Sequence, residues 1–362
     1  MTLQQRSPFC GSYNPGDVEF LLTPVELEMT PVDEKEKLIQ SGARHYSDML
    51  SQESAPTEQH LELFSKALDR GAARMAKEVI MLAKGLTEQY GDRPVVLVSL
   101  VRAGVPLGVM LHRALKDMGH TSYHYGISII RDRGIDNAAL SYIESQHGTD
   151  GIVFVDGWTG KGAITGELTA SLKGRSGYPA IPRLVVLADP AGCAWLAASD
   201  DDWLIPFGIM GAPVSGMVSR SLWRESGFHG CVHCEHLQAY ECSRMLVDTV
   251  DDCRAALDAS KITASRPANS GLDLLRTNSM QVVKGLAAEY SIDSINRIKP
   301  GIAEATRAVL RRVPDHVLVR SKDDADVSLL IYLAEKKSIA IQEVGPALGQ
   351  YRAVTIIKKV AL

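Results

Sequence analysis

Apolar residues recur at helical spacing through residues 58–90: Leu61, Phe64, Leu68, Ala72, Met75, Val79, Leu82 and Leu86 form one stripe that stops at Gly91. Steps of three and four residues predict a helix with one side against a core. The pattern then changes to a continuous β-branched run over 95–100, as expected for a strand covered on both faces. The alternation continues with a helix over 106–118, strands near 122–130 and 151–155, a helix over 163–172 and a strand at 184–188. Such alternation predicts an α/β fold built on a parallel, doubly wound sheet, with ligands at the carboxyl ends of its strands. Residues 190–245 are irregular, and a polar stretch over 258–280 predicts a linker. Beyond it a second α/β pattern starts: a helix near 301–312, a strand at 316–320, a helix over 325–336 and strands at 338–343 and 353–359. The reading divides the chain into an N-terminal extension packed on the core (1–57), an α/β domain (58–257), a linker (258–280) and a small C-terminal α/β/α sandwich (281–362).

Composition fits this picture. At 362 residues, 45% hydrophobic and 23% charged, the chain is long enough for two or three globular domains. It holds no run of eighteen apolar residues and no signal-peptide core, so the expectation is a cytoplasmic protein with no membrane partner and with its six cysteines as thiols. Charge is uneven. Residues 1–270 carry 25 basic and 33 acidic residues, whereas residues 271–362 carry 14 and 10. The change of sign marks a boundary and points weakly to a polyanionic partner for the C-terminal part.

Three strand ends carry candidate chemistry. The first runs into Asp156 and then Gly157-Trp158-Thr159-Gly160-Lys161-Gly162. Glycines permit a tight turn, and a turn at a helix N-terminus aims N–H groups at an anion, so the segment is a candidate phosphate cradle. Asp156 is placed to face a sugar diol or a metal-bound oxygen. The spacing is not that of a Walker A loop, and a ligand-free βα turn is the alternative. The second end contains Ser99, Arg102, Ala103 and Gly104, where the Arg102 fork suits a pyrophosphate or simply meets solvent. The third, over 124–136, contains Tyr125, Ser128, Arg131, Asp132 and Arg133. It suits either a mobile lid over an anionic substrate or a charged surface hairpin.

Together these segments resemble the type I phosphoribosyltransferase fold. Asp156, Thr159 and Gly160 match its phosphate loop, and Arg102 and Gly104 its pyrophosphate turn; Gly157 departs from the family's second acid. A closer resemblance spans 9–250. Residues 11–22, His45-Tyr46-Ser47, 124–136, 155–162 and 187–192 are similar, in order, to a phosphoribosyltransferase-like family found in tellurite-resistance and stress gene clusters. The resemblance implies an enzyme acting on a nucleotide or sugar phosphate. Asp156, Arg102 and Asp189 would be catalytic, residues 157–162 would hold the 5-phosphate, and Ser99, Ala103 and Gly104 would line the pyrophosphate turn. Arg131 and Arg133 would act from the lid, and Mg²⁺ would accompany the pyrophosphate. Two alternatives stand beside it. One is a nucleotide-binding regulator without turnover, which Gly157 favours. The other is a cysteine peptidase, because a cysteine-protease label is also attached to that family. No cysteine lies in the quoted motifs, and Cys10 is the nearest.

In the C-terminal part, Lys299, Gly301, Glu304 and Arg307, with Arg311 and Arg312 a turn later, are similar to the loop-helix of the L7Ae/Pelota RNA-binding fold. The resemblance implies an RNA partner, with Glu304 reading bases and the arginines holding phosphates. A domain used only for homodimerisation is the alternative. Cys231-x-x-Cys234, among His229, His233 and His236, has zinc-ligand spacing, but no second pair follows, and a packed stretch is expected. Residues 215–220 are open between an anion-binding turn and a helix start.

Overall fold

The computed structural model describes residues 8–268 and 272–359. The N-terminal extension contributes β1 (Glu19–Phe20), β2 (Thr23–Pro24) and α1 (Val32–Gln40). There follow α2 (Glu58–Tyr90), β3 (Val95–Val101), α3 (Gly104–Asp117), β4 (Ser122–Ile130), β5 (Gly134–Ile135), α4 (Asn137–His147), β6 (Ile152–Val155), α5 (Ala163–Leu172), β7 (Leu184–Ala188) and β8 (Leu196–Ser199). An irregular region holds β9 (Gly230–Cys231), which pairs with β2, and leads to α6 (Ser243–Ala255). The C-terminal part comprises α7 (Asp273–Glu289), β10 (Ile298–Pro300), α8 (Ile302–Arg311), β11 (Pro314–Val319), α9 (Ser328–Lys336), β12 (Ala340–Glu343) and β13 (Ala353–Ile357). Helix α7 begins inside the stretch expected to be a linker.

The main sheet runs β1-β4-β3-β6-β7-β8, parallel throughout, with β5 folding back on the end of β4. Period-two burial decides which helices lie on which face. Leu97, Val153, Val155, Val185 and Leu187 share a core with α2, α3 and α6, whereas Val96, Val98, Ile152, Phe154 and Val186 pack with residues of α4 and α5. The fold is therefore α/β with helices on both faces. The chain winds from β3 outward to β4 and then returns past β3 to β6. That reversal opens a crevice at the carboxyl ends of β3 and β6, where ligands of such sheets bind.

The small domain has a four-stranded mixed sheet, β10-β13-β11-β12. Its Ile298, Leu318, Val354 and Ile356 pack against α7, while Val317, Val319 and Ala353 face α8 and α9. That second face merges with the main core, because Ile302, Ala303 and Val309 of α8 belong to the same cluster as Trp158 and Phe207.

One carboxylate locks the two parts together. Helix α8 starts at Gly301, which has no side chain to cap it and sits at φ +91°. Asp202, in the main domain and buried, supplies the cap in trans: Oδ1 accepts from the Ile302 N–H at 2.9 Å and Oδ2 from the Arg352 N–H at 2.8 Å. The carboxylate also faces the positive end of the helix dipole. Asp202→Ala is expected to lower the unfolding free energy in a urea titration by about 2–3 kcal/mol, because it orphans two buried donors. Asp200→Ala, an exposed neighbour, should leave it unchanged.

Candidate functional site at the domain junction

A cavity of about 690 Å³ lies at the crevice, roofed by α8 and closed on one side by the N-terminal extension. Its wall includes Arg102, Ala103, Arg131, Asp156, Trp158, Thr159, Gly160, Lys161 and Gly162 from the main domain. It also includes Lys299, Glu304, Arg307, Arg311 and Arg312 from the C-terminal domain. Two sites that looked separate in the sequence, a phosphate loop and an RNA motif, are thus opposite walls of one space.

The loop after β6 keeps only part of the cradle expected from its glycines, with Gly160, Lys161 and Gly162 on the cavity wall. The Thr159 N–H donates to Ala188 O at 3.0 Å, the Gly157 N–H donates to Asp156 Oδ1 at 2.8 Å, and the stretch extends the pairing of β6 with β7. The C-terminal domain then covers it. The Tyr351 hydroxyl donates to Gly160 O at 2.6 Å, a Cβ on Gly160 would stand 3.2 Å from Glu304 Cγ, and Lys161 Nζ donates to Ile295 O and Ile298 O at 2.6 Å each. Gly157 is needed for space, since a Cβ there would lie 2.9 Å from Phe207. Trp158 fills an apolar gap beside Phe207 and carries the Arg307 guanidinium 4.6 Å from its ring centroid.

Other expected site residues have structural work instead. Asp189 is buried: Oδ1 accepts from Thr159 Oγ1 at 2.7 Å and from the Cys193 N–H at 2.8 Å, and Oδ2 accepts from the Ala194 N–H at 3.0 Å. It pins two loops and does not face the cavity. Arg102 is held at 2.8 Å by Glu53 of the N-terminal extension and donates to Val218 O, both through one terminal nitrogen, while its buried Nε has no partner among the described residues. Ser99 is a core residue bonded to His124 Nε2 at 2.7 Å and to Gly104 O at 3.0 Å. Gly104 is required because a Cβ would strike Val155 O at 2.0 Å.

The expected lid is the charged hairpin. Ile130 pairs with Gly134, Asp132 takes the positive φ at the tip, and Arg133 is fastened to Asp48 and stacked 4.6 Å from the Trp223 centroid. Tyr125 bonds His147 at 2.8 Å and Ser128 bonds His229 at 2.7 Å, both inside β4. Only Arg131 of this segment reaches the cavity wall, with its N–H donating to the Tyr46 hydroxyl at 2.8 Å.

Sequence reasoning missed Lys35, Glu36 and Glu53, and it named Tyr46, Arg220 and Cys234 without placing them at this site. Glu36 pairs with Arg312 at 2.6 Å, and the others line the cavity. Residues 215–220, left open in the sequence, bring Arg220 to the site, where it donates to the Tyr46 and Met49 carbonyls.

The electrostatics are dominated by cations in a low-dielectric setting. Burial pushes Lys161 down to about 7, with Lys299 adding repulsion, and pushes Lys35 and Lys299 down to about 8. Arg307 and Arg220 fall to about 10, burial again being the main cause, and Arg311 is pushed well below its ordinary value. Burial alone would raise Glu53, but Arg102 and Arg311 hold it at about 2. Asp156 goes the other way: burial raises it to about 7 in spite of its bond from the Gly157 N–H.

For the Mg²⁺ expected from the family resemblance, the described residues offer no ligand set made of protein groups alone. Among the described residues no three His, Cys, Asp or Glu side chains gather to hold a metal, and cations crowd the cavity's few carboxylates. Nor do Cys231 and Cys234 make a zinc site: Cys231 packs in the main core and Cys234 with Ala212, Met217 and Leu237.

Comparison with known proteins places this geometry. Residues 11–251 match the family described as tellurite-like stress resistance cysteine protease StiP, and residues 277–359 match the PELOTA RNA binding domain. The chain therefore belongs to the StiP family. A protein of Acinetobacter baylyi named cysteine protease StiP is 49% identical over 367 residues, which cover 97% of this chain and 94% of its own. A solved structure described as an analysis of an invariant aspartic acid in HPRTs, asparagine mutant, is 18% identical. It covers 48% of this chain and 94% of its own, with a TM-score of 0.28, too low to carry an argument. These matches overturn the expectation of a phosphoribosyltransferase: the family and the relative are both described as cysteine proteases. No helix among the described residues is long and apolar enough to cross a membrane.

The Asp156 carboxyl binds its proton more tightly in the fold than in the unfolded chain. Its contribution to stability is complete below about pH 4 and is lost as pH rises through about 7. Asp156→Asn keeps an acceptor for the Gly157 N–H and removes the charge. Unfolding titrations should find it equal to the parent at pH 4 and more stable by about 4 kcal/mol at pH 8.

Proposed function

We propose that the chain is a cysteine peptidase whose nucleophile is Cys234. The observation that carries the reading is the position of this thiol. Among the described residues it is the cysteine on the wall of the junction cavity. Cys10, the nearest cysteine to the sequence motifs, lies away from that wall and points at Tyr13 O, 3.4 Å away. Cys231 and Cys242 are pushed up to about 12 by burial and do not face the space.

Peptide hydrolysis by a thiol needs a base for the Sγ proton, attack of sulfur on the carbonyl carbon, loss of the protonated amine and release of the thioester by water. Two imidazoles share the cavity wall with Cys234. The Nε2 of His60 meets Ile209 O at 2.9 Å and that of His236 meets Glu53 O at 2.8 Å. A carbonyl partner makes Nε2 the protonated nitrogen, which leaves Nδ1 as the basic one. Burial lowers His60 and keeps it neutral at pH 7. The thiol itself is not pre-ionised. Burial raises it to about 11, with Arg102 opposing, and its contact is the distant Val232 O at 3.9 Å. Proton removal therefore belongs to the substrate-bound state on this reading.

Cleavage of fluorescein-labelled casein should fall at least a thousandfold in Cys234→Ser and stay near the parent level in Cys10→Ser. Iodoacetamide labelling of Cys234, followed by peptide mass, should track loss of activity and speed up about tenfold per pH unit between 7 and 10, as the thiolate fraction grows. Full proteolysis by Cys234→Ser would remove the proposal.

A further inference from the structure

The junction cavity holds far more positive charge than its own residues neutralise. Arg102 and Arg312 are paired with Glu53 and Glu36. Leaving aside the exposed Lys336 and Lys337, six other lining cations have no carboxylate partner among the described residues: Lys35, Lys161, Arg220, Lys299, Arg307 and Arg311. Lys161, Arg220 and Arg307 make only backbone carbonyl bonds. The side chains of Lys35, Lys299 and Arg311 have no hydrogen bond or ion pair among the described residues. Against these six stand Asp156 and Glu304. The cations repel one another within α8, Arg311 with Arg307, and across domain boundaries, Arg311 with Arg102, Lys35 with Arg220 and Arg312, and Lys161 with Lys299.

A folded protein gains nothing from such a cluster by itself. Each charge loses solvation, and each neighbour of like sign adds repulsion. The cost is balanced when an anion enters, so the arrangement describes a ligand. We infer that the junction cavity is the binding site of a compact, phosphate-rich small molecule carrying about four negative charges, gripped at once by the main domain, the N-terminal extension and helix α8. About 690 Å³ matches sites for small molecules of nucleotide size. Phosphate groups bring nearly two charges each in a small volume and accept from guanidinium forks and ammonium groups alike. A peptide of equal charge would need four acidic side chains, with backbone polar groups to satisfy as well. Val32, Ile39, Leu50 and Met210 give one side of the wall an apolar surface for an organic body. The motif arginines Arg307 and Arg311 of the C-terminal domain line this cavity beside cations of the main domain. The inference is independent of whether Cys234 is a nucleophile.

The test uses the full chain with sodium tripolyphosphate and pyrophosphate as probes, read by thermal unfolding and isothermal titration calorimetry. Sulfate, tetraglutamate and a single-stranded RNA oligonucleotide are compared at matched ionic strength. Both phosphate probes should raise Tm and bind with micromolar Kd. Lysines held near 7 and 8 must regain protons when an anion binds, so calorimetry at pH 8 in buffers of different ionisation enthalpy should register proton uptake. Lys299→Met and Arg311→Met should raise Tm without ligand and weaken tripolyphosphate at least tenfold; the raised Tm shows that the variants fold. Lys66→Met, at an exposed i,i+4 pair with Glu62, should change neither. The proposal is overturned if tripolyphosphate acts no better than sulfate, if tetraglutamate binds as tightly, if RNA binds and tripolyphosphate does not displace it, or if both variants bind tripolyphosphate like the parent.

Discussion

The docking of α8 on the carboxyl end of the main sheet is the constraint on which the site depends. Without it, the crevice between β3 and β6 would be an open notch whose arginines and lysines met water. With it, Arg307, Arg311 and Lys299 are carried over Asp156 and Arg102, and the notch becomes a chamber. The attachment is made mostly apart from the cavity's unpaired cations: the shared core around Trp158 and Phe207, the Tyr351 bond to Gly160 O, the Asp202 cap and the Arg352–Asp201 ion pair at 2.9 Å, with Lys161 reaching two backbone carbonyls. This division of labour matters. Had the cations themselves held the domains together through carboxylate partners, they would be neutralised, as Arg312 is by Glu36, and nothing would remain for a ligand.

The N-terminal extension has a matching role. Glu53 engages Arg102 and accepts from the Ala212 N–H at 2.8 Å, and Tyr46 gathers the Arg131 N–H and lies under the guanidinium groups of Arg131 and Arg220. It thereby fixes the side chains that a free crevice would leave mobile. The extension and the C-terminal domain approach the same end of the sheet and touch each other through Glu36 and Arg312 and through Thr57 and Tyr332 at 3.0 Å. Three remote stretches of chain therefore converge on one chamber.

That convergence explains what the sequence could and could not reveal. Elements set by local periodicity were legible: the long helix over 58–90, the buried strand that follows, and the strand–helix alternation on both sides of 258–280 coincide closely with the structure. The strand ends at Arg102 and Asp156 were found because parallel sheets place ligands there. What those residues do was not legible, because it depends on partners 49 and about 150 positions away: Glu53 on Arg102 and Arg307 near Asp156. Glycines misled for a physical reason. Gly104 and Gly157 signal close packing as strongly as they signal an approaching ligand, and here steric room against Val155 O and Phe207 is their use. Charge misled in the same way at 131–133, where alternating Arg and Asp build a stapled hairpin. Helix α7 was missed because its polar, weakly apolar-sided start reads like the linker before it. The transferase expectation failed for a related reason. It read the loop after β6 as bare, when the C-terminal domain occupies the approach to it.

The thiol and the cations also share a single field, and this joins the two proposed readings. Arg102 and Arg311 pull the Cys234 thiol downward while burial holds it at about 11. An anion seated among the same guanidinium groups would spend that positive potential on itself, and the thiol would lose what little help it has. A phosphate-rich occupant and an ionised Cys234 are therefore competitors for one reservoir of charge, even where they do not touch. If peptide cleavage is the activity, the small anion belongs to the resting chamber, and its departure is what leaves the arginines able to favour a thiolate. The domain junction then shares the setting of that field with the end of the central sheet, because Arg102 comes from the main domain and α8 adds Arg311.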